Sequence, residues 1–405
     1  MKKYSVMLLV LVALLSMVCA AGAQTELNVI ISQYGQRTQE WWSQFETDFE
    51  AAYPEIDANI EIVSWNDIHT VVNTRVANGQ APDILNIDVF ADYVADELLL
   101  PAESYISPET YAKIYPAFLG ESVVDDTVWA VPILASARAM FYNADILEAA
   151  GVEVPSTWEE LRAAAEAIKA YDETIYPWGV DMTTDEGQAA FSYYTWNTGG
   201  GFVDENGEWA LNSDANVEAI EFIMGMINDG LTNSDPATET RYANQDMFGA
   251  GKVAMMIGPN NIPTYIADGG YDINYGVALI PTNNPDASIA MGVMDRLMAF
   301  DNDQTDEELD AITKFFDFFY DDERYAGYMV FEGFLPATST GAEALGAMDD
   351  SFAAWIDILA NCSFYPAAKA EWADVKQGVI DVEQQALLGG DVRELLDALQ
   401  ADIAG

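Results

Sequence analysis

The sequence predicts an α/β fold in two domains, and three observations predict it. Short β-type runs alternate with amphipathic helical stretches through the chain. Three later helices open with paired start signals. About 380 residues follow an N-terminal leader, more than one hydrophobic core ordinarily organises.

The leader comes first. Lys2 and Lys3 precede an apolar run over 6–18, and Ala21-Gly22-Ala23 supply small residues before Gln24. That is the layout of a cleaved secretory signal, residues 1–23, and the run is shorter than the ~20 apolar residues of a membrane span. Export to the periplasm or the cell exterior is therefore expected. Cys19 offers a second reading, a lipid anchor, but Val18 stands before it where lipoprotein signals use a small residue. Cleavage after Ala23 leaves Cys362 alone, which excludes an intramolecular disulfide.

Residues 27–31, 60–65 and 84–88 read as strands, with helices over 38–53 and 68–77 between them. This β-α-β-α-β opening favours a parallel sheet with right-handed crossovers. Thr157 with Glu160 form a capping box before Trp158, Leu161, Ala165 and Ile168. Thr305 with Glu308 repeat it, as do Asp391 with Glu394. Asn206-Gly207 suits a type I′ hairpin turn. No Pro-, Gly- or Ser-rich linker divides the chain, so it is expected to cross between domains more than once. Short apolar segments at 132–138, 275–280 and 333–338 are the candidate crossings.

All 67 acidic residues and 14 of the 16 basic ones lie beyond the leader, a mature net charge of −53. Such a field repels nucleic acid and anionic membrane surfaces, so neither is an expected partner. A hydrophobic content of 51% excludes a disordered chain. The acid excess reads as a solvated surface suited to a saline habitat.

Seven segments in order carry a resemblance. Ala77-Asn78-Gly79-Gln80-Ala81-Pro82-Asp83-Ile84 is the first, and Leu98-Leu99-Leu100-Pro101 the second. Trp129-Ala130-Val131-Pro132 precedes Met140-Phe141-Tyr142-Asn143, and Pro155-Ser156-Thr157-Trp158-Glu159-Glu160-Leu161 follows. Phe248-Gly249-Ala250-Gly251-Lys252-Val253-Ala254-Met255, Tyr275-Gly276-Val277-Ala278-Leu279-Ile280-Pro281 and Gly333-Phe334-Leu335-Pro336-Ala337 complete the set. Together they resemble the extracellular solute-binding proteins of ABC transporters, family 1, the maltose-binding-protein-like sugar type. One departure is Glu97, where the family uses Gly before its L-x-P turn.

The resemblance implies a two-lobed periplasmic-binding-protein fold, each lobe a mostly parallel sheet flanked by helices, joined by about three hinge segments. Lobe 1 would comprise 24–134 and 280–335, and lobe 2 would comprise 135–279 and 336–405. It implies a small solute, a sugar or oligosaccharide, held between the lobes and delivered to the membrane permease subunits of an ABC importer. A monomer is expected, with no cofactor and no metal.

Candidate ligand residues follow from position. In open α/β sheets ligands sit beyond the carboxyl ends of strands. Tyr34 and Gln36 follow the first strand, Trp65 ends the second and Asp88 ends the third. Arg138 lies in the first crossing, as a ligand fork or a hinge ion pair. Trp196 precedes Gly199-Gly200-Gly201, where the family presents an aromatic residue. Asn260 and Asn261 stand where the family commonly has a stacking Trp, which suggests a more polar site. Asp295 and Arg296 are candidates too, or else a buried mutual ion pair.

Other chemistries are set aside. The stretch around Gly251-Lys252 lacks the first Gly and the Ser or Thr of a phosphate loop, having Asp246 and Val253. Residues 301–312 lack the Gly and Glu of a calcium loop. His69 is the one histidine, on a predicted helix, and reads as a packing or surface residue; with one mature Cys, the usual zinc sites are excluded. A secreted glycoside hydrolase needs only two carboxylates and stays as a rival class. So does the same fold with a polyamine or other small polar ligand.

Overall fold

The computed structural model describes residues 24–184, 186–283, 289–349, 352, 355, 358 and 362–403. The proposed signal segment and Cys19 lie outside these. Strands β1 (Thr25–Gln33), β2 (Ile56–Ser64) and β3 (Ile84–Ile87) begin the chain. A small pair, β4 (Val123–Val124) and β5 (Thr127–Val128), precedes the long β6 (Val131–Asn143). Then come β7 (Tyr176–Gly179), β8 (Val253–Pro259), β9 (Tyr275–Ala278), β10 (Ala290–Ala299) and β11 (Cys362–Ser363).

Hydrogen bonding joins nine of these into one sheet of order β2-β1-β3-β10-β6-β8-β7, with β11 beside β10 and β9 beside β6. The opening β2-β1-β3 set is parallel, as the β-α-β-α-β reading predicts. β6 and β10 run antiparallel to each other and to their neighbours β8 and β3, so the whole sheet is mixed. β1 sends Leu27, Val29 and Ile31 into one core and Ile30 into another, which is why Val29-Ile30-Ile31 is apolar without alternation.

The first half of the sheet, around β1, is packed by helices Thr38–Ala52 and Asp306–Phe319. Trp42 stacks on Phe319 with ring centroids 5.5 Å apart. The second half, around β8, carries helices Trp158–Tyr171, Gly187–Thr195 and Trp372–Leu387. Trp158 stacks on Phe222 at 4.2 Å and its indole N–H donates to the Pro281 carbonyl. Two of the three predicted capping boxes, at Thr157 and Thr305, are complete, and at the third the Asp391 carboxylate accepts from the Glu394 N–H.

Three expectations change. The Asn206-Gly207 turn is not type I′: among its residues only Gly207 has positive φ, at +78°, and the Asp204 carboxylate caps the loop by accepting from the N–H groups of Asn206 and Glu208. β9, expected as a crossing, pairs with the far end of β6 and stays on the second half. The crossing there is β10, which begins beside Cys362 and Ala137 and ends beside Ile84. The 333–338 segment bridges Ala135 through Leu335, but Thr338 then bridges Ile114 and helix Ser339–Met348 packs on Asp322–Glu332, so the chain remains on the first half. Apolar composition does not separate a hinge strand from any other: the 132–138 and 333–338 segments are largely buried, whereas 275–280 lies partly at the surface, with Val277 and Leu279 exposed.

Candidate functional site

The two halves face each other across a cleft, and the strand ends supply its walls. β2 ends at Ser64 and places Trp65 at its mouth; β3 ends at Ile87 and places Asp88 at its floor. β6 and β10 cross behind and contribute Arg138 and Asp295. The β6–β10 register shifts between Asp295, opposite Leu134, and Arg296, opposite Pro132. Bulges of this kind re-aim side chains beside functional sites.

These four predicted residues meet at an inner chamber of about 50 Å³, completed by Glu186, Arg241, Tyr365 and Lys376. Its charges interleave. Glu186 accepts from Arg138 Nη2 at 2.8 Å and pairs with Arg241 at 2.7 Å. Asp88 pairs with Lys376 at 2.7 Å and with His69 at 3.2 Å. Burial pushes the Asp88 carboxyl up, but the Lys376 ammonium and the His69 ring beside it outweigh this and hold the group well below the usual carboxylate range. Asp295 has no such counter-charge at contact. Burial, then the charge of Asp88, push it up to about 7. Outward of Lys376 lies a larger space of about 350 Å³, whose walls include Trp65, Asn73, Asp92 and Gln377.

The other predicted residues have different places. Tyr34 is buried behind the chamber, its hydroxyl donating to Asn86 Oδ1 at 3.0 Å and pairing with Asp295, and its ring edge-on to Trp65. Gln36 is exposed and meets Tyr265 across the cleft's outer edge, where Arg37 pairs with Asp268 and Tyr242 donates to the Gln33 carbonyl. Trp196 is buried in the core of the second half against Phe202 and Tyr365, outside the chamber lining. Asn260 ties the crossing segments to each other and Asn261 packs against Gly333; neither lines the chamber. Arg296 turns away from Asp295 and donates to Ser122 Oγ and to the carbonyls of Asp88, Glu121 and Met294. It is a buried structural anchor, and the expected mutual ion pair with Asp295 is replaced by these bonds. Burial lowers its pKa to about 10.

Sequence reasoning missed Glu186, Arg241, Tyr365 and Lys376, and read His69 as a packing or surface residue. One signal was available for Lys376. It sits on the apolar stripe of its helix with Trp372, Val375 and Val379, and it is only 8% exposed. A cation on a buried face is costly unless it is paired.

Chemically, the chamber offers fixed acceptors and fixed donors side by side. Such a lining suits a neutral ligand whose hydroxyls donate and accept at once. Among the described residues no group of three or more His, Cys, Asp or Glu could hold a metal ion, and no helix is long and apolar enough to cross a membrane.

Comparison with known proteins agrees with this arrangement. The family model for bacterial extracellular solute-binding protein matches residues 34–325. A putative binding protein of Brucella abortus is 29% identical over 392 residues, covering 96% of this chain and 94% of that one. An arabinooligosaccharide-binding protein of Bacillus subtilis is 24% identical over 276 residues, 64% of this chain and 63% of that one. The fold is that of maltose-bound MalE3 from T. maritima, with TM-score 0.83, 20% identity and coverage of 94% of this chain and 99% of the other. It is also that of a Listeria monocytogenes substrate-binding protein in complex with cycloalternan, with TM-score 0.78, 19% identity and coverage of 94% and 98%. The charged cleft between two sheet halves, the ordered motifs and the match over most of the chain agree, and the protein belongs to the bacterial extracellular solute-binding family.

Proposed function

We propose that this protein captures a sugar or short oligosaccharide between its two halves, acting as the two lobes, and delivers it to the permease of an ABC importer. The leader at 1–23 would direct its export. The observation that carries the reading is the pair of spaces that meet at Trp65 and Lys376. The outer one sets Asn73, Asp92 and Gln377 beside the Trp65 ring, and the inner one backs it with Asp88, Asp295 and Glu186 alternating with Arg138, Arg241 and Lys376. Hydroxyls of a sugar can bond both signs, and an indole face can cover its C–H surface. The relatives' ligands, arabinooligosaccharide and maltose among them, support the same class.

A polyamine fits less well, because three of the 14 mature basic residues stand in this wall, where they would repel a cation. Contacts drawn from both halves exist only when the cleft is shut, so ligand binding shifts an open population toward the closed one. The protein is proposed to carry its ligand unchanged. The carboxylates that could serve as a hydrolase's second acid beside Asp295 are both engaged, Asp88 by Lys376 and His69, and Glu186 by Arg138 and Arg241.

Thermal unfolding of residues 24–405 with mono- and oligosaccharides, polyamines and amino acids tests the reading. A ligand at about 100 times its dissociation constant adds about 2.7 kcal/mol to native stability. A shift with a sugar and no release of reducing ends is the expected result. A shift with polyamines alone, or sugar turnover, would overturn it.

A further inference from the structure

The cleft is not one space. Trp65, His69, Thr184 and Lys376 border both the inner chamber of about 50 Å³ and the outer one of about 350 Å³. Of these four, Lys376 is the buried one, and it projects from the second half to meet residues of the first. Its ammonium lies 2.7 Å from Asp88 Oδ2 and 3.1 Å from His69 Nε2. The partition is thus a fixed charge clamped by two partners. The inner space behind it holds about one or two waters, far less than a sugar ring requires.

We propose that Lys376 determines specificity: the ring of the ligand rests in the outer chamber against Trp65, and the clamped ammonium bars a ring substituent from the inner chamber. The inference rests on the sugar-binding reading above. An ammonium carries three N–H donors. Asp88 and His69 occupy at most two directions, so at least one N–H is left for a ligand oxygen at the partition. Lys376 therefore reads the edge of the sugar in two ways, by donating to a ring or hydroxyl oxygen and by filling the space where a hydroxymethyl arm would go. Sugars lacking that arm fit the wild-type cleft best. Asn73 and Gln377, on opposite walls of the outer chamber, meet the hydroxyls of the seated ring.

Xylose and glucose differ only by the hydroxymethyl group on C5, and their β-1,4 dimers xylobiose and cellobiose differ in the same way. Isothermal titration of the mature chain with these four sugars tests the proposal. Lys376→Ala is expected to raise the glucose-to-xylose affinity ratio about tenfold or more, the discrimination that a small apolar group commands in a fitted pocket. Asn73→Ala is expected to weaken both sugars by about three- to tenfold and leave the ratio unchanged. Removing Lys376 strips Asp88 of its main counter-charge, so the double variant Asp88→Asn with Lys376→Ala is measured alongside and should show the same ratio change. An unchanged ratio, or equal loss for both sugars, shows Lys376 to be structural and overturns this inference alone. Absence of binding by all four sugars, with a thermal shift from another sugar, overturns this inference alone; absence of a shift with any sugar overturns the sugar reading and this inference with it.

Discussion

The side-chain amide of Asn260 donates to the Gly333 carbonyl at 2.7 Å, while its Oδ1 accepts from the Ala137 N–H at 3.0 Å. One side chain thus ties β8, β6 and the 333–338 segment at the level where the two halves meet. Gly333 has φ +79°, and a Cβ there would lie 3.1 Å from Asn261, so glycine is required at that close approach. Asn260→Ala leaves a buried N–H and a buried carbonyl without their partner. It should cost about 1–3 kcal/mol, read from urea unfolding. Its effect on the intrinsic contacts of a bound sugar should be small, since the amide does not line the chamber.

The Asp295 carboxyl gives the protein a pH dependence opposite to that of an ion-paired acid such as Asp88. Its folded pKa of about 7 lies above the unfolded value of about 3.9. Its contribution is fully present below the unfolded pKa and is lost as pH rises through about 7. Glu332, pushed up to about 7 by burial, adds a second loss of the same sign. Asp88, held low by Lys376 and His69, works the other way and withdraws stability only in strong acid. Wild type should therefore lose stability from about pH 4 to pH 7. Asp295→Asn should flatten part of that slope; an identical slope in the variant would show that Asp295 does not carry it.

Glu97 holds φ +57°, the left-handed region that costs a residue with a Cβ about 1–2 kcal/mol. It occupies the place where the family has Gly. The side chain is exposed, so nothing packed is lost on removing it. Glu97→Gly should stabilise by about 0.5–1 kcal/mol, the relieved strain less the extra freedom of the unfolded chain. Differential scanning calorimetry would show this as a rise in Tm.

A mature net charge of −53 repels itself most strongly in the compact state. Screening shortens to about 3 Å at 1 M salt, so added salt should raise Tm steadily. A Tm equal in dilute buffer and in molar salt would count against adaptation to a saline habitat.

Much of the architecture was legible in the residues. Capping boxes at Thr157 and Thr305 are local devices, complete within four positions, so their sequence suffices to place them. The strand-end rule likewise placed Trp65 and Asp88 in the cleft, because parallel strands put their carboxyl ends on one edge. Asp295 and Arg296 show where that reasoning stops. Both were candidates on the same strand, yet one side chain lines the chamber and the other anchors the loop at Glu121 and the carbonyl of Asp88.

By itself the sequence determined the fold class, the order of its elements, the acid surface and the family motifs, since each depends on neighbours in the chain or on composition. Only the tertiary structure decided which charges face the cleft. Lys376 reaches Asp88 across 288 positions, and Arg138 reaches Glu186 across 48. Those pairings depend on how two packed halves are set against each other, which local spacing does not encode. Burial then gave the same residue types opposite states, Asp88 ionised and Asp295 titrating near neutrality, because one has a cation in contact and the other has a like charge beside it.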